Sequence, residues 1–278
     1  MNPLEQTFFN GVQRVVSRFS PPQSGPEYEK FRSSMHKERE ICIVLAGHSK
    51  FMLNGSVYDA EPGTAFMIDS WVPHSFGYLP GDNDLYHMWV FRDKGRILGC
   101  IAHIEKSGQI SSYEKHLPIR REAAELVYSR WDFLNRQANP DEALARDFLR
   151  VPLNVMIDEF RFRRQHLRQN ATRKKDDLLD MIKTHISRNQ GRNCSLAELE
   201  KYSGFNRYYL AHQFREYNGC TIGQFINQVR IEYTASAMLH GLRQKEIANE
   251  LGFSSPTHFW HWLRKNREQV EIIRKNRL

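Results

Sequence analysis

The sequence contains no long apolar run and no closely spaced cysteines, and each absence excludes a class of protein. No uninterrupted apolar stretch approaches the roughly 20 residues that a membrane helix needs. Residues 1–19 carry polar and charged side chains throughout and lack the apolar core of a secretory signal. The four cysteines (Cys42, Cys100, Cys194 and Cys220) form no CxxC pair, so neither a zinc site nor a dithiol redox centre is predicted. We expect a cytoplasmic protein with reduced thiols and no contact with a membrane.

The short motifs of common enzyme classes are also missing. The sequence has no nucleophile elbow, no phosphate-binding glycine loop and no zinc-ligand spacing. Its composition is that of an ordinary globular protein, with 40% hydrophobic and 26% charged residues. A chain of 278 residues is long enough for two domains that each bury a core. No cofactor is predicted.

Positive charge is concentrated in the C-terminal part of the chain. Residues 1–160 contain 18 Lys and Arg against 21 Asp and Glu, whereas residues 161–278 contain 22 against 11. A near-neutral part followed by a basic part favours a division of labour in which the second part meets a polyanion. Basic charge alone does not decide the matter, because many basic proteins bind no nucleic acid.

Short apolar runs separated by turn residues fill the N-terminal part. Asn54-Gly55, the strongest two-residue hairpin signal, joins two of these runs, and Pro62-Gly63 precedes another. Runs of this length at this spacing predict an antiparallel sandwich or barrel. The clearest runs are residues 41–45, 51–53, 65–68 and 86–91.

From about Leu117 the apolar residues recur at three- and four-residue steps, which predicts two helices. Asn139-Pro140-Asp141 separates them and provides a start for the second. The two helices pack either on their own β domain or against a second copy of the chain, and we favour the dimer. Residues 161–175 predict a helix end and a linker. The recurring residues are Ala123, Leu126, Val127, Trp131 and Leu134, then Leu144, Phe148, Val151, Val155 and Phe160.

The last hundred residues contain an internal repeat. Residues 195–205 and residues 244–253 each read as a short helix that ends at a Gly-Phe pair, and the two pairs lie 48 positions apart. Glycine closes such a turn because it adopts a left-handed backbone without strain. A polar helix start and a second helix follow each pair. Helix, glycine turn and helix is the geometry that lets the second helix enter a major groove.

The segment from Ser195 to Arg264 resembles the C-terminal domain of AraC-type transcription regulators. The N-terminal part is similar to the cupin-like sensor domain that many members of that family carry. The resemblance in the first segment rests on Leu196, Leu199, Gly204, Leu210, Phe214, Gly219, Arg230-Ile231, Ala235, Leu239, Ile247-Ala248, Gly252-Phe253 and Phe259. The resemblance in the second rests on His36, Glu40 and Gly47, with Pro62-Gly63 and Val72-Pro73-His74.

This resemblance implies an α+β multi-domain fold, with an N-terminal antiparallel β-barrel plus helices and an all-α C-terminal domain. The all-α domain would hold two helix-turn-helix units joined by one long helix. The expected domains are a ligand-sensing domain over residues 1–115, a helical dimerisation segment over 116–167, a linker over 168–175 and a DNA-binding domain over 176–278.

Two features depart from the family pattern. Glu200 stands where the family has a small residue, because two helices pack closely at that point. The usual Gly and Pro after the second reading helix are replaced by residues 267–274, which read as continuing helix. We therefore expect either a longer last helix or a weaker second DNA contact.

The resemblance also implies which side chains contact DNA. On the first reading helix Leu210 and Phe214 face inward, which leaves the opposite face for DNA. Arg207 and Arg215 on that face would hold phosphates and position the protein without reading sequence. Arg243 and Lys245, at the entrance to the second helix-turn-helix unit, would do the same. Trp260 would contact a thymine methyl or a sugar, or else pack on Trp262. The full set is Arg207, Tyr208, Ala211, His212 and Arg215, with Thr257, Trp260, His261 and Arg264 on the second helix.

A mixture of aromatic and polar residues in the β domain predicts a ligand pocket. The candidate ligand-binding residues are His36, Glu40, Trp71, His74, Tyr86, His87 and Trp89. Alternation along strands directs only half of them inward. Enzymatic cupins hold a metal with such residues, but Ser34 replaces the first histidine of their His-x-His pair and Trp71 replaces a glycine. No metal is therefore predicted, and a barrel filled by its own side chains is an open alternative.

Two functions follow. The first is a sequence-specific, DNA-binding transcription regulator whose barrel senses a small metabolite, with a carbohydrate preferred. Its partners would be double-stranded DNA, the effector, a second copy of the chain and RNA polymerase. The alternative is a metal-dependent cupin enzyme with a basic helical appendage, which the missing histidine and the repeated Gly-Phe turns disfavour. Neither the effector, the operator sequence nor the direction of regulation can be predicted from the sequence.

Overall fold

The computed structural model describes residues 3–21, 34–76, 78, 80–93, 95–114, 116–137, 141–167 and 175–276. Contacts divide the described residues into two compact units, one formed by residues 3–21 and 38–167 and the other by residues 34–37 and 175–276. Within the described residues, no helix is both long enough and apolar enough to cross a bilayer.

The first unit begins with helix α1 and continues with ten strands and two longer helices. Strand β1 precedes the residues 22–33, which lie outside the described part of the chain. The helices are α1 (Pro3–Asn10), α2 (Arg121–Asn135) and α3 (Glu142–Leu167). The strands are β1 (Arg14–Val16), β2 (Glu40–Ala46), β3 (Ser49–Leu53), β4 (Ser56–Ala60), β5 (Thr64–Ile68), β6 (His74–Ser75), β7 (Leu85–Asp93), β8 (Arg96–Ile104), β9 (Ile110–Tyr113) and β10 (Leu117–Ile119).

The strands form two sheets. The larger has the order β1-β5-β2-β7-β8-β10, with β9 also paired to β8, and the smaller has the order β4-β3-β6. The predicted hairpin is confirmed, because Leu53 pairs with Ser56 across Asn54 and Gly55, which both have positive φ. Pairing is antiparallel as predicted except between β1 and β5, which run parallel. The predicted β domain is thus confirmed as two sheets.

Each face of the larger sheet is covered, so its central strand β2 is buried along its whole length. Ile41 and Ile43 belong to the core that this sheet shares with α1, α2 and α3. Cys42 and Val44 belong to the core that it shares with the smaller sheet. Side chains alternate between the two faces of a strand, so a continuous apolar run is what a strand covered on both sides requires.

Helices α2 and α3 pack on the first of these faces. Their buried side includes Trp131 and Phe160, each at most 1% exposed. Arg39 attaches α2 to the sheet, because its guanidinium pairs with Asp69 at 3.1 Å and with Asp132, and lies 3.7 Å from the Trp131 ring. The two helices predicted from periodicity are confirmed. They pack on the β domain of their own chain, which is one of the two arrangements that the sequence leaves open.

Over its described residues 175–276, the second unit consists of helices and their connections. The helices are α4 (Lys175–Arg188), α5 (Leu196–Ser203), α6 (Arg207–Asn218), α7 (Ile222–Leu239), α8 (Gln244–Glu250) and α9 (Pro256–Lys275). Helix α4, whose first residue Lys175 was expected to end the linker, packs with α5, α6 and α7 around an apolar core. The rest of the predicted linker lies outside the described residues. The long helix α7 joins the two helix pairs, as the resemblance implies.

Candidate nucleic-acid interface and binding pocket

Capping residues fix the first helix-turn-helix pair. Ser195 and Glu198 form a reciprocal capping box at the start of α5, and Gly204, with φ 71°, ends the helix. The Asn206 side chain then accepts a hydrogen bond from the backbone N–H of Tyr208 and starts α6. Leu210 and Phe214 are fully buried, as predicted. The opposite face of α6 is therefore presented outward.

Four of the five residues predicted to contact DNA on α6 lie on this outward face. Tyr208 is 75% exposed, and Arg207, His212 and Arg215 are exposed, while Ala211 is half-buried. Arg207 lies over the Tyr208 ring at 5.5 Å. The His212 Nδ1 lies 3.8 Å from a Glu216 carboxylate oxygen, so its donor groups are not locked into a short ion pair.

The second pair repeats this arrangement. Helix α8 ends shortly before Gly252, with φ 72°, and the Ser255 side chain accepts a hydrogen bond from His258 N–H at the start of α9. Phe259 and Leu263 are buried as predicted. All four residues predicted to contact DNA from α9 are exposed: Thr257, Trp260, His261 and Arg264.

Trp260 does not belong to the aromatic core of the second pair. It is 48% exposed, its ring lies 5.0 Å from that of His261, and the Arg264 guanidinium lies 5.7 Å from it. The ring that packs inward is Trp262, which contacts both Phe253 and Phe259. The neighbouring Trp260 is thus available on the outer face.

The extension of the last helix is confirmed, since α9 continues through residues 267–274 to Lys275. Its middle is attached to α7, because Trp262 Nε1 donates to Asn227 Oδ1 at 2.7 Å and Asn227 donates to Asn266 at 3.0 Å. Val270, in the extension itself, is buried. The residues that replace the family's Gly and Pro therefore continue a helix that is packed on its own unit.

The other departure also has a structural role. The Glu200 carboxylate accepts a hydrogen bond from the backbone N–H of Arg207 at 3.2 Å, and so satisfies a free donor at the start of α6. A carboxylate at a helix N-terminus is also stabilised by the helix dipole. Two further residues, Arg243 before α8 and Lys245 in α8, are expected to hold phosphates. Arg243 pairs with Glu246 at 2.8 Å, and Lys245 is exposed.

In the first unit, alternation separates the predicted ligand-binding residues. His87 and Trp89 face the interior between the two sheets, as do Glu40 of β2 and His74 of β6, and all four are buried. Tyr86 faces the opposite side, where it stacks on His103. The prediction that only some of these residues point inward is confirmed.

The interior is lined with aromatic rings. The His87 ring lies 4.1 Å from Phe76, and its Nδ1 is hydrogen-bonded to the Tyr78 hydroxyl at 3.2 Å. Because His87 is completely buried, its neutral form is favoured and its pKa falls to about 3. The Trp89 ring meets Phe76 edge-on at 5.9 Å. An imidazole held neutral in this way accepts and donates hydrogen bonds without carrying charge.

Trp71 has a strained backbone. Its φ is 63°, in the left-handed region that costs an ordinary residue roughly 1–2 kcal/mol. It is the residue that replaces the glycine of the cupin pattern, so the chain keeps the glycine conformation while carrying an indole. Its side chain is half-buried at the turn that leads to β6.

Two of the candidate residues of the first unit come close together. Glu40 and His74 lie 4.0 Å apart between Oε2 and Nε2, and both are buried. His36 is also buried, but it belongs to the second unit. This arrangement bears on the enzyme alternative.

A pocket of about 670 Å³ lies beside α1, on the helical side of the larger sheet. Tyr86 is the only predicted ligand-binding residue among those that line it. The Thr7 hydroxyl donates to the Leu45 carbonyl, and Asp84 is held by His103 at 2.9 Å. The lining residues are Gln6, Thr7, Asn10, Gly11, Gln13, Leu45, Ala46, Gly47, His48, Pro62, Gly63, Asn83, Asp84 and Tyr86.

Comparison with known proteins agrees with both units. Residues 199–269 match the family model of a helix-turn-helix domain, and residues 23–91 match that of a cupin domain. The chain is a DNA-binding transcription regulator with a helix-turn-helix domain of the AraC type and a cupin domain. No solved structure matches this regulator.

Three relatives described as transcription regulators or factors match this regulator over most of their own length. The HTH-type transcriptional activator RhaR of Salmonella schwarzengrund is 22% identical over 262 residues, which are 92% of this regulator and 89% of RhaR. YbfI of Bacillus subtilis, described as an uncharacterized HTH-type transcriptional regulator, is 19% identical over 230 residues, 83% of this chain and 82% of YbfI. The probable transcription factor PqrA of Proteus vulgaris is 27% identical over 92 residues, 33% of this regulator and 74% of PqrA.

Sequence reasoning missed the roles of some residues in this regulator. The pocket beside α1 is built from polar residues of a short helix and three turns, which show no periodic pattern. In the sequence, Glu200 stands out only as a departure from the family pattern, which does not reveal the cap that it provides. Its position seven residues before Arg207 is the signal that could have identified it, because a carboxylate so placed reaches across the glycine turn.

Proposed function

We propose that the regulator binds DNA as a homodimer, through α6 and α9 of each subunit, under the control of a small neutral metabolite held by the first unit. The exposed residues of α6 and α9 support this, since each helix is capped, anchored by buried residues and free on its outer face. In this proposal Arg207, Arg215 and Arg264 hold phosphates, while Tyr208, Ala211, His212, Thr257, Trp260 and His261 contact bases. RNA polymerase is a further proposed partner, and the cytoplasm is the proposed location.

The DNA proposal is tested by selection of genomic fragments with the purified protein at physiological salt, followed by sequencing. We expect a motif with two half-motifs separated by one or two helical turns, as a symmetric dimer requires. Enrichment of fragments without any motif would leave only the electrostatic attraction and would contradict sequence-specific reading. The protein with Tyr208→Ala and Trp260→Ala together provides the control, and it should lose the motif.

An exposed apolar stripe on α3 supports the dimer. Leu144, Val151, Val155 and Phe162 fall on one narrow side of the helix, since steps of seven, four and seven residues return to nearly the same angle. All four are about half exposed or more, with Val151 at 59%. Phe133 of α2, 54% exposed, extends the stripe by its ring contact with Phe148. An apolar surface of this kind on a folded protein is typical of an interface.

The effector is proposed to contact Glu40, His74, His87 and Trp89 in the interior, with Trp71 at the turn that leads to β6. The neutral imidazole of His87, the carboxyl group of Glu40 and the aromatic rings suit a small molecule with hydroxyl groups, and a carbohydrate is the preferred class. The pocket beside α1 is the second candidate location. An effector regulates DNA binding only if it binds one arrangement of the dimer more tightly than the other.

A thermal-shift screen with monosaccharides and sugar alcohols at millimolar concentration tests the ligand class. We expect at least one compound to raise the melting temperature, because binding to the folded state stabilises it. Loss of that shift in His87→Ala would support the interior site, whereas loss in Gln13→Ala would place the compound beside α1. If no compound raises the melting temperature, the carbohydrate class is wrong.

We propose that the regulator is not an enzyme. The alternative, a metal-dependent cupin enzyme, is favoured by one observation, the proximity of Glu40 and His74. Elemental analysis of protein purified without chelators separates the two. A stoichiometric transition metal that is lost in His74→Ala would support the alternative, and substoichiometric metal in both proteins would support the regulator alone.

A further inference from the structure

The two helix-turn-helix pairs of the second unit are joined by α7 and also by direct contacts. Arg192 lies in the connection between α4 and α5, directly before the first helix-turn-helix pair. Its Nη1 donates to the carbonyl oxygen of Asn249 in α8, at 3.2 Å. Its aliphatic stem lies against Gly252, since a Cβ built on that glycine would be 2.7 Å from Arg192 Cγ. The turn of the second pair thus rests on a residue that precedes the first.

Arg230, on α7, makes the complementary contacts. Its Nη2 donates to the Gly191 carbonyl oxygen at 3.0 Å, on the side of the first pair. The same guanidinium lies 5.1 Å from the ring centroid of Phe253, in the turn of the second pair. Guanidinium groups have a planar fork that can donate hydrogen bonds and stack on a ring at once, which lysine cannot do.

Two glycines allow this close approach. Gly191 has φ 71°, and a Cβ on it would lie 2.8 Å from the Ile226 side chain of α7. Gly252 has φ 72° and faces Arg192 in the same way. The connection before α5, the middle of α7 and the turn before α9 therefore meet in one cluster, which we call the arginine cluster (Arg192 and Arg230 with Gly191, Gly252 and Phe253).

A single helix would leave the two pairs free to bend and rotate about it. Helix α7 has 18 residues, so it is about 27 Å long at 1.5 Å per residue. Side contacts across its middle remove that freedom. We propose that Arg192 and Arg230 are positioning residues that fix the separation of α6 and α9, and so set the spacing that the regulator accepts between its two contacts on DNA. Neither residue belongs to the outward faces of α6 and α9.

The proposal rests on DNA contact by both helices, and a spacing experiment tests it. Sites selected by the full-length protein are altered by adding or removing one base pair between the two parts that one subunit reads. We expect the unaltered protein to lose about tenfold in affinity, as for a mismatched contact. Arg192→Met and Arg230→Met should bind the altered and unaltered sites within about threefold of each other, because the loosened pairs adapt.

Arg267→Met is the matched control, since it removes one positive charge from an exposed position of α9 and should keep the spacing preference. Equal spacing profiles in Arg192→Met and the unaltered protein would overturn the proposal. A regulator that reads a single short motif per subunit would also overturn it, while leaving the regulatory function intact. Arg192 is half-exposed, so its variant decides the matter even if Arg230→Met does not fold.

A distance measurement without DNA provides an independent readout. Nitroxide labels are attached through Arg215→Cys on α6 and Lys265→Cys on α9, after Cys220→Ser removes the one half-exposed native thiol among the four cysteines. With the labelled protein diluted in a large excess of unlabelled protein, so that a dimer seldom carries two labelled subunits, electron-spin distance measurements should show one narrow distribution. It should broaden when Arg192→Met and Arg230→Met are combined. Unchanged helical circular dichroism would confirm that the variant is folded. A distribution that stays narrow would contradict the positioning role.

Discussion

At the scale of single residues, the second unit separates side chains that can hold phosphate from side chains that can read bases. Arg207 is exposed at the first turn of α6, beside the Tyr208 ring. His212 lies five residues further along, with its Nδ1 3.1 Å from Gln213 Nε2 and 3.8 Å from a Glu216 carboxylate oxygen. Phosphate contacts act on all sequences alike, whereas base contacts discriminate between them. The two residues should therefore fail in different ways when they are replaced.

Arg207→Ala should weaken binding to every sequence and reduce the slope of log affinity against log salt by about 1, because one phosphate contact is lost. His212→Ala should instead relax the preference at one or two base pairs. Both are measured by fluorescence anisotropy on the selected site and on single-base variants of it, over a range of salt. A uniform loss across the base variants in His212→Ala would contradict its reading role.

Gly204 and Gly252 provide a matched pair, since both end the first helix of a pair with φ near 71°. An alanine Cβ at Gly204 would meet nothing within 4 Å, so Gly204→Ala should lower the free energy of unfolding by only the backbone strain, about 1 kcal/mol. Gly252→Ala adds the displacement of Arg192 and should cost more. Urea unfolding of both variants checks this, and equal losses would show that the contact at Gly252 carries no energy.

At the scale of elements, Glu200 links the two helices of the first pair. Its carboxylate accepts the Arg207 N–H, in addition to the cap that Asn206 provides. Glu200→Ala should lower the free energy of unfolding by about 0.5–1 kcal/mol, as loss of a helix cap does. Glu200→Gln keeps an acceptor oxygen and should retain most of that stability. Urea unfolding tests both, and equal losses in the two variants would contradict the role of the hydrogen bond.

The sequence predicted the elements of the second unit well because each helix start and stop is encoded locally. Ser195, Gly204, Asn206 and Ser255 stand where capping chemistry requires them, and the structure uses all four. The hairpin at Asn54-Gly55 was predictable for the same reason. Local signals of this kind do not depend on which other parts of the chain come near.

Features that depend on contacts distant in sequence were not predictable. The periodic apolar residues of α3 divide between two faces, because Phe160 is buried on the sheet while Leu144, Val151 and Val155 are exposed. Periodicity shows that a helix has an apolar side, but it does not show which side the sheet covers when there are two. The parallel pairing of β1 with β5 and the pocket beside α1 likewise arise only when remote segments meet.

At the scale of the whole molecule, each unit contains a histidine that burial keeps neutral. The pKa of His87 falls to about 3 and that of His185, which stacks on Tyr202, to about 4, both mainly by desolvation. In the unfolded chain histidine titrates near 6.5. Between pH 6.5 and these lower values the unfolded state binds more protons, so the stability of the folded state decreases as the pH falls.

When the pH falls from 7 to 5, His87 takes up a proton in the unfolded chain but stays neutral in the folded protein, because its pKa in the folded protein is about 3. This difference alone should lower the free energy of unfolding by about 2 kcal/mol. His87→Phe should therefore lose less stability over that interval than the unaltered protein, whatever its stability at pH 7. Urea unfolding at both pH values measures the difference. His48→Phe is the control for the replacement of a histidine by phenylalanine, because His48 is exposed in the first unit.

The assembly of two chains is the largest-scale consequence of the exposed stripe on α3. Leu144 and Phe162 are 18 residues apart, so the stripe is about 27 Å long, enough for an extended helix contact. Val155→Glu places a charge at its centre and should convert the dimer to a monomer of 32.8 kDa, since a buried unpaired charge is costly. Sedimentation equilibrium measures the mass. Gln165→Glu adds the same charge at an exposed position of α3 outside the stripe and should leave the dimer intact. A Val155→Glu protein that remains dimeric would show that the second copy binds elsewhere. A monomeric variant should still bind a single half-motif with reduced affinity, because each subunit keeps both of its reading helices.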